Sequence, residues 1–395
     1  MNTLSAWPSY SREEREAVDR VLASGRVNYW TGEEGRSFEK EFSEFCGVRY
    51  SIALANGTVA LELALRALGI GPGDEVIVTP RTFIASASAV VMLGAMPVFA
   101  EVDNESQNIT ADTVRAVLTP RTRAVIAVHL AGWPCDMYGL RNLVREHGLY
   151  LIEDCAQAHG AVYKAHPVGG LGDVAAWSFC QDKIMNTGGE GGMLTTNDGM
   201  IWEKAWSFKD HGKSWDAVYN RAHPTGFRWL HESFGSNLRM TELQAVIGRV
   251  QLKKMPKWHA ARKRNAEAIL DTCEGFPSLL RVARPVAGIE HAWYKCYVFV
   301  RTAGLALGWT RDRIMEEITA AGVPCFSGSC PEVYLEKAFV GAGKNPPERF
   351  PVARMLGETS LVFLVHPTLS KGDLEKMCSV IERVATLAGG ESKNN

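Results

Sequence analysis

Between about residue 50 and residue 200 the chain alternates short apolar runs rich in β-branched residues with stretches of helical spacing, which leaves few architectures open. Strands covered on both faces read as nearly continuous apolar runs, and the helices between them supply the cover. The expectation is an α/β domain on a mainly parallel sheet. Seven strands are predicted, at Ser51–Ala55, Glu75–Thr79, Pro97–Val102, Ala124–Leu130, Tyr150–Asp154, Val174–Phe179 and Gly192–Thr196. Helical signals fall between them at Val59–Ala67, Ala85–Leu93 and Tyr138–His147.

From about Glu242 the pattern changes to one long helical stretch reaching Asp271, with Pro256 as the expected kink or break. Beyond it Trp293–Val300 reads as a strand, and Arg311–Ala321 and Leu374–Leu387 read as helices. This describes a smaller C-terminal α+β domain. A chain of 395 residues is long enough for two domains, and the boundary is placed between 1–250 and 251–395. No internal repeat or low-complexity tract interrupts it, and only the Ser392–Asn395 tail reads as loose.

Charge and cysteine usage exclude several classes. Lys and Arg number 43 against 44 Asp and Glu, with no basic run carrying interleaved aromatics, so nucleic acid and anionic membranes are not expected partners. The N-terminus lacks a basic start followed by an apolar core, and no segment offers about 18 consecutive apolar residues, so a cytoplasmic protein is expected. Nine cysteines, scattered and without Cys-x-x-Cys spacing, argue for reduced thiols rather than a disulfide framework or zinc ribbon. No His/Cys/Asp cluster has metal spacing, and no metal is expected.

The residues with chemical promise sit near predicted strand ends, where open α/β sheets bind ligands. Lys183 lies between the apolar run Ala176–Phe179 and the glycine cluster Gly188–Gly192. A rigid strand end can hold such an amine while glycines let backbone approach a bulky ligand, as a Schiff-base lysine requires. Asn56-Gly57-Thr58 follows a strand and opens a helix, which suits a phosphate and equally suits a plain N-cap. Asp154 ends an apolar strand, where an acid needs either a cation or a capping role. Ser178 is a strand-end hydroxyl, and Phe83 offers a flat face or a core ring.

Taken in this order and spacing, Asn56-Gly-Thr58, Thr82-Phe83, Glu153-Asp-Cys-Ala-Gln157 and the Lys183 segment resemble the DegT/DnrJ/EryC1/StrS family of pyridoxal-phosphate-dependent sugar aminotransferases. The resemblance runs from about Pro8 to about Thr368 and includes Gly71–Ile77 and Asn237–Met240. It implies the PLP-dependent transferase fold type I (aspartate aminotransferase-like): a large domain with a mainly parallel seven-stranded sheet plus a smaller C-terminal α+β domain. By the same resemblance Lys183 is the Schiff-base lysine and the proton carrier, and Gly57, Thr58 and Ser178 hold the phosphate of pyridoxal 5'-phosphate. Asp154 would keep the pyridine nitrogen protonated, Gln157 would contact the ring hydroxyl and Phe83 would stack on the ring. Asn237 would cross to the neighbour's phosphate, which implies a homodimer with shared active sites.

The implied reaction moves an amino group from L-glutamate, leaving 2-oxoglutarate, to the keto group of a nucleotide-linked sugar, for amino-sugar and surface-polysaccharide biosynthesis. His129 and His159 match family positions often held by histidine, and a core role is expected for both. Two segments depart from the commonest family pattern. Thr187–Gly192 carries one extra glycine, and Cys325–Tyr334 lacks the usual His-Tyr segment, which bears on the choice of sugar. Relatives that dehydrate a keto sugar carry histidine in place of the lysine, unlike this chain. A regulatory homologue that lost catalysis would be expected to lose Lys183, Asp154 or Gln157 first. A nicotinamide-dependent oxidoreductase would need Gly-x-Gly-x-x-Gly, which Ala55–Ala60 does not supply.

Overall fold

The computed structural model describes residues 4–389, so the Ser392–Asn395 tail lies outside them. The first half contains β1 (Tyr50–Leu54), β2 (Glu75–Val78), β3 (Met96–Phe99), β4 (Thr122–Val128), β5 (Tyr150–Asp154), the short pair β6 (Val162–Tyr163) and β7 (His166–Pro167), then β8 (Val174–Ser178) and β9 (Gly192–Thr196). The second half contains β10 (Leu280–Val282), β11 (Ile289–Glu290), β12 (Cys296–Val300), β13 (Cys325–Phe326) and β14 (Ser360–Phe363).

Seven strands join in the order β1-β9-β8-β5-β4-β2-β3, and only β9 runs antiparallel to its neighbours. Side chains alternate strictly across this sheet. In β4, Val125 and Ala127 enter a core under helices Glu34–Cys46 and Met137–His147, while Ala124, Ile126 and Val128 enter one under helices Gly57–Ala67 and Ala85–Met92. Two-sided burial explains why the runs are apolar throughout rather than alternating with polar residues. The seven predicted strands all form, with ends shifted by a few residues.

β10, β12, β14 and β13 form a smaller antiparallel sheet, and helices Met255–Glu274, Arg311–Ala320 and Lys371–Gly389 pack beside it around a third apolar cluster. The long helical stretch after Glu242 is broken into two helices: Glu242–Leu252, which packs on helices Arg12–Ser24 and Glu34–Cys46, and Met255–Glu274. The break precedes Pro256, which occupies the first turn of the second helix, where a missing N–H costs nothing. The expected strand from Trp293 begins only at Cys296, because Trp293 adopts a left-handed φ of 51°.

The N-terminal residues cross to the small sheet. Leu4 packs on its apolar cluster, Ser5 Oγ donates to Asp373 at 2.7 Å, and Thr368 Oγ1 donates to the Ala6 carbonyl at 2.8 Å. No helix among the described residues is long and apolar enough to cross a membrane.

Candidate active site at the carboxyl ends of the central strands

A cavity of about 580 Å³ opens where β1, β2, β5 and β8 end. Gly57, Thr58, Phe83, Asp154, Gln157, Ser178 and Lys183 all line it. Asn237 does not: it is exposed, bridged to Asp210 in a separate stretch of backbone.

Lys183 sits on a loop stapled to itself beyond β8. Phe179 N donates to Gly191 O at 2.8 Å, Gln181 N to Gly189 O at 2.9 Å and Thr187 N to Phe179 O at 3.1 Å. Gly188 and Gly189 hold φ of 82° and 126°, values that other side chains rarely adopt, so both glycines of the lengthened motif have a structural use. The lysine side chain is 15% exposed, with Nζ 4.0 Å from Asp182 and 5.0 Å from the Tyr294 ring centre.

At the β1 end, Asn56 caps helix Gly57–Ala67 by accepting from Val59 N at 3.0 Å. The amides of Gly57 and Thr58 are then left at the positive end of the helix dipole without an intrahelical acceptor. The turn lies hard against β8 and β9: a Cβ on Gly57 would come 2.6 Å from Ser178 Cβ, and one on Gly192 would come 2.3 Å from the Asn56 carbonyl. A narrow cradle of free amides with the Ser178 hydroxyl alongside suits a phosphate.

Asp154 is 5% exposed. Ser86 Oγ donates to its Oδ2 at 2.7 Å and Ala156 N to its Oδ1 at 3.1 Å, and Thr82 Oγ1 lies 2.9 Å from Ser86 Oγ. No Lys, Arg or His pairs with it among the described residues, so a buried carboxylate faces the cavity without a counter-cation. Gln157 Oε1 accepts from Ala131 N at 2.7 Å, which leaves its NH₂ as the group free to donate. Phe83 is 66% exposed, its face unused by the core.

His129 lies on the other side of the sheet with Glu153 and Cys155, their ligand atoms within 4.8 Å of one another. That set is spent. Glu153 accepts from Gly169, Leu171 and Gly172 amides at 2.9, 2.8 and 2.7 Å and from His129 Nε2 at 3.1 Å. His129 Nδ1 accepts from Cys135 N at 3.0 Å, and burial pushes the Cys155 thiol well above its ordinary pKa. Hydrogen bonds thus occupy both ring nitrogens of His129 and both oxygens of Glu153.

Sequence reasoning missed Ser86 and Tyr294. Ser86 is a buried hydroxyl inside an Ala-Ser-Ala-Ser-Ala run, and its place four residues after Thr82 was the available signal. The Trp215 ring packs on Trp202 and Trp206 at 4.9 and 4.8 Å between ring centres, while Trp229 is 82% exposed. In the departing Cys325–Tyr334 segment, Tyr334 is core, 5.5 Å from Phe99.

An uncompensated acid at one wall, an anion cradle at another, a broad aromatic face and a lysine amine fit a flat, phosphate-tailed aldehyde whose ring nitrogen takes a proton. Pyridoxal phosphate has each of those parts, and with this sheet order it defines a fold type I pyridoxal-phosphate-dependent transferase. The chain belongs to the DegT/DnrJ/EryC1/StrS aminotransferase family, whose sequence profile matches residues 8–382. It is similar to the aminotransferase from Psychrobacter cryohalolentis, a solved structure, at 57% identity and a TM-score of 0.97 over 98% of this chain and 99% of that one. It is also 36% identical to GDP-perosamine synthase of Caulobacter vibrioides over 90% of this chain and 92% of that protein. UDP-N-acetyl-3-dehydro-α-D-glucosamine 3-aminotransferase of Acidithiobacillus ferrooxidans is 35% identical over 90% of both chains.

Proposed function

We propose that this aminotransferase moves the amino group of L-glutamate onto the keto carbon of a nucleotide-linked sugar, leaving 2-oxoglutarate and an amino sugar for surface polysaccharide. The observation that carries the reading is that Lys183 and the unpaired Asp154 face one cavity. Relatives over nine-tenths of the chain that carry nucleotide-sugar names support the acceptor class.

Bound pyridoxal phosphate supplies the electron sink that stabilises negative charge at the donor α-carbon. Asp154 keeps the ring nitrogen protonated, oriented by the Ser86 hydroxyl and the Ala156 amide. Gly57, Thr58 and Ser178 hold the phosphate, the Gln157 NH₂ donates to the ring hydroxyl and Phe83 covers the ring. Lys183 Nζ, once free, takes the proton from the donor α-carbon, and in the second half-reaction returns one to the sugar carbon. A rigid loop fixes where that amine can reach.

The chain acts in the cytoplasm as a homodimer, its large and small domains dividing at 250/251, in the last turn of the helix Glu242–Leu252. Asn237 is exposed beside a stretch in which Phe227, Trp229 and Phe234 are 75%, 82% and 98% exposed. Three bare rings on one loop suit burial against a second copy, which brings Asn237 to the neighbour's phosphate.

The test is optical and then chemical. Purified protein supplied with pyridoxal phosphate should show a visible band that L-glutamate alone bleaches with release of 2-oxoglutarate, and a nucleotide keto sugar should restore it and yield an amine by mass spectrometry. Protein that takes up no pyridoxal phosphate overturns the reading.

A further inference from the structure

A second cavity of about 520 Å³ lies beside the first, and Asp182 borders both. Its walls come from segments far apart in sequence: the N-terminal crossing with Trp7, the helix carrying Arg262, the Tyr294-Lys295 pair, and the edge of the small sheet around Pro324 and Val365. Lys183 Nζ and Lys295 Nζ lie 5.0 and 4.8 Å from the centre of the same Tyr294 ring, which places this cavity next to the reacting amine.

Arg262 is 1% exposed and has no acidic partner among the described residues. Its Nη1 donates to the Trp293 carbonyl at 3.3 Å and the Trp7 ring centre lies 5.2 Å from its guanidinium carbon, but Nε and Nη2 find no acceptor. Those two nitrogens form the side edge of the guanidinium. Their N–H bonds point the same way and match two oxygens of one planar carboxylate. Asp182, the one acid on the cavity wall, already accepts from the Tyr294 hydroxyl. Burial without a counter-ion pulls the Arg262 pKa down to about 9 and, with the Arg262 and Lys183 charges adding to the effect, that of Lys295 to about 8. An arriving anion relieves that cost.

We propose that this second cavity binds a carboxylate of the amino donor, with Arg262 as a bidentate fork and Lys295 as a second positive charge. The assignment rests on the aminotransferase reading. A sugar acid is the other source of a planar carboxylate, so the test separates the two half-reactions.

Cofactor-loaded wild type, Arg262→Gln and Arg262→Lys are compared in three measurements: the L-glutamate dependence of the first half-reaction without sugar, calorimetric binding of glutarate, and calorimetric binding of UDP, GDP and dTDP with the nucleotide-sugar half-reaction alongside. Arg262→Gln should raise the L-glutamate concentration for half-conversion about 30-fold and remove glutarate binding, while the nucleotide and sugar arm stays within about twofold. Arg262→Lys keeps the charge and loses the fork, and should fall between. The proposal is overturned if the nucleotide or sugar arm drops while glutamate and glutarate are unaffected, or if no arm changes. Should Arg262→Gln fail to fold, Arg262→Lys and Lys295→Met decide by the same criterion. A wild type that does not react with L-glutamate at all overturns the glutamate-donor reading itself, before any variant is considered.

Discussion

Glu153 and Asp154 end the same strand one residue apart, and the two-residue period of a strand sends them to opposite faces of the sheet. Both are buried, at 0% and 5% exposure, so burial does not distinguish them. Saturation does. Glu153 takes three amides and the His129 ring, and although burial raises its pKa, those bonds more than offset it and hold the acid below its usual range. Asp154 has one hydroxyl and one amide and looks into a cavity. A buried acid whose partners are all internal is part of the fold, and one left short of a cation marks a ligand.

Substitutions should separate the two faces, activity on one and stability on the other. Lys183→Ala has the largest expected effect: turnover with glutamate falls at least about 10⁴-fold, since one amine both anchors and carries protons, with little change in unfolding midpoint. Asp154→Asn keeps the bond from Ala156 N on its one oxygen, reverses the one with Ser86, whose hydroxyl then accepts from the NH₂, and removes the charge. Turnover should drop about 10²- to 10³-fold with pyridoxal phosphate still bound, as judged by single-turnover absorbance. A variant as active as wild type would mean that Asp154 has no electrostatic task.

Glu153→Gln tests the opposite face. An amide has one oxygen where the carboxylate had two, so the bonds from Gly169, Leu171, Gly172 and His129 cannot all be kept, and unfolding stability should fall by about 3 kcal/mol in urea titrations. Activity per folded molecule should stay within a few-fold. A loss of activity without a loss of stability would dissolve the contrast between the two acids.

Legibility in the sequence follows the same division. The strands were readable because two-sided burial makes each one a continuous apolar run. Lys183, Asp154 and the Asn56–Thr58 turn were readable because strand ends are where polar residues interrupt those runs. Arg262, Tyr294, Lys295 and His366 were not, since no local pattern connects three segments that meet beside Leu4–Trp7. The Pro256 break was displaced by one turn because proline terminates a helix in its interior and begins one equally well.

The smallest expected effect concerns two histidines. His129 uses both ring nitrogens, whereas His159, fully buried, has only the Ser178 backbone as a weak polar neighbour and lies 5.2 and 5.6 Å from Trp177 and Phe179. Burial first, then the charges of Lys183 and Arg262, push the His159 pKa down to about 3. In the unfolded chain the same ring takes a proton near pH 6.5. Between those values the unfolded state binds the extra proton, so His159 contributes stability that is present above about pH 6.5 and is lost as pH falls toward 3. From pH 7 to pH 5 the loss amounts to about 2 kcal/mol. His291 and His366, pushed down to about 3 and about 4, act with the same sign, so only a difference between proteins isolates His159. His159→Phe keeps a ring against Trp177 and removes the titration. Urea unfolding of both proteins at pH 7 and pH 5, in the same cofactor-loaded form, should show the variant losing about 2 kcal/mol less. An equal loss in both would mean that His159 is protonated in the folded protein as readily as in the unfolded chain, and the face of the sheet that holds it would then need a counter-charge.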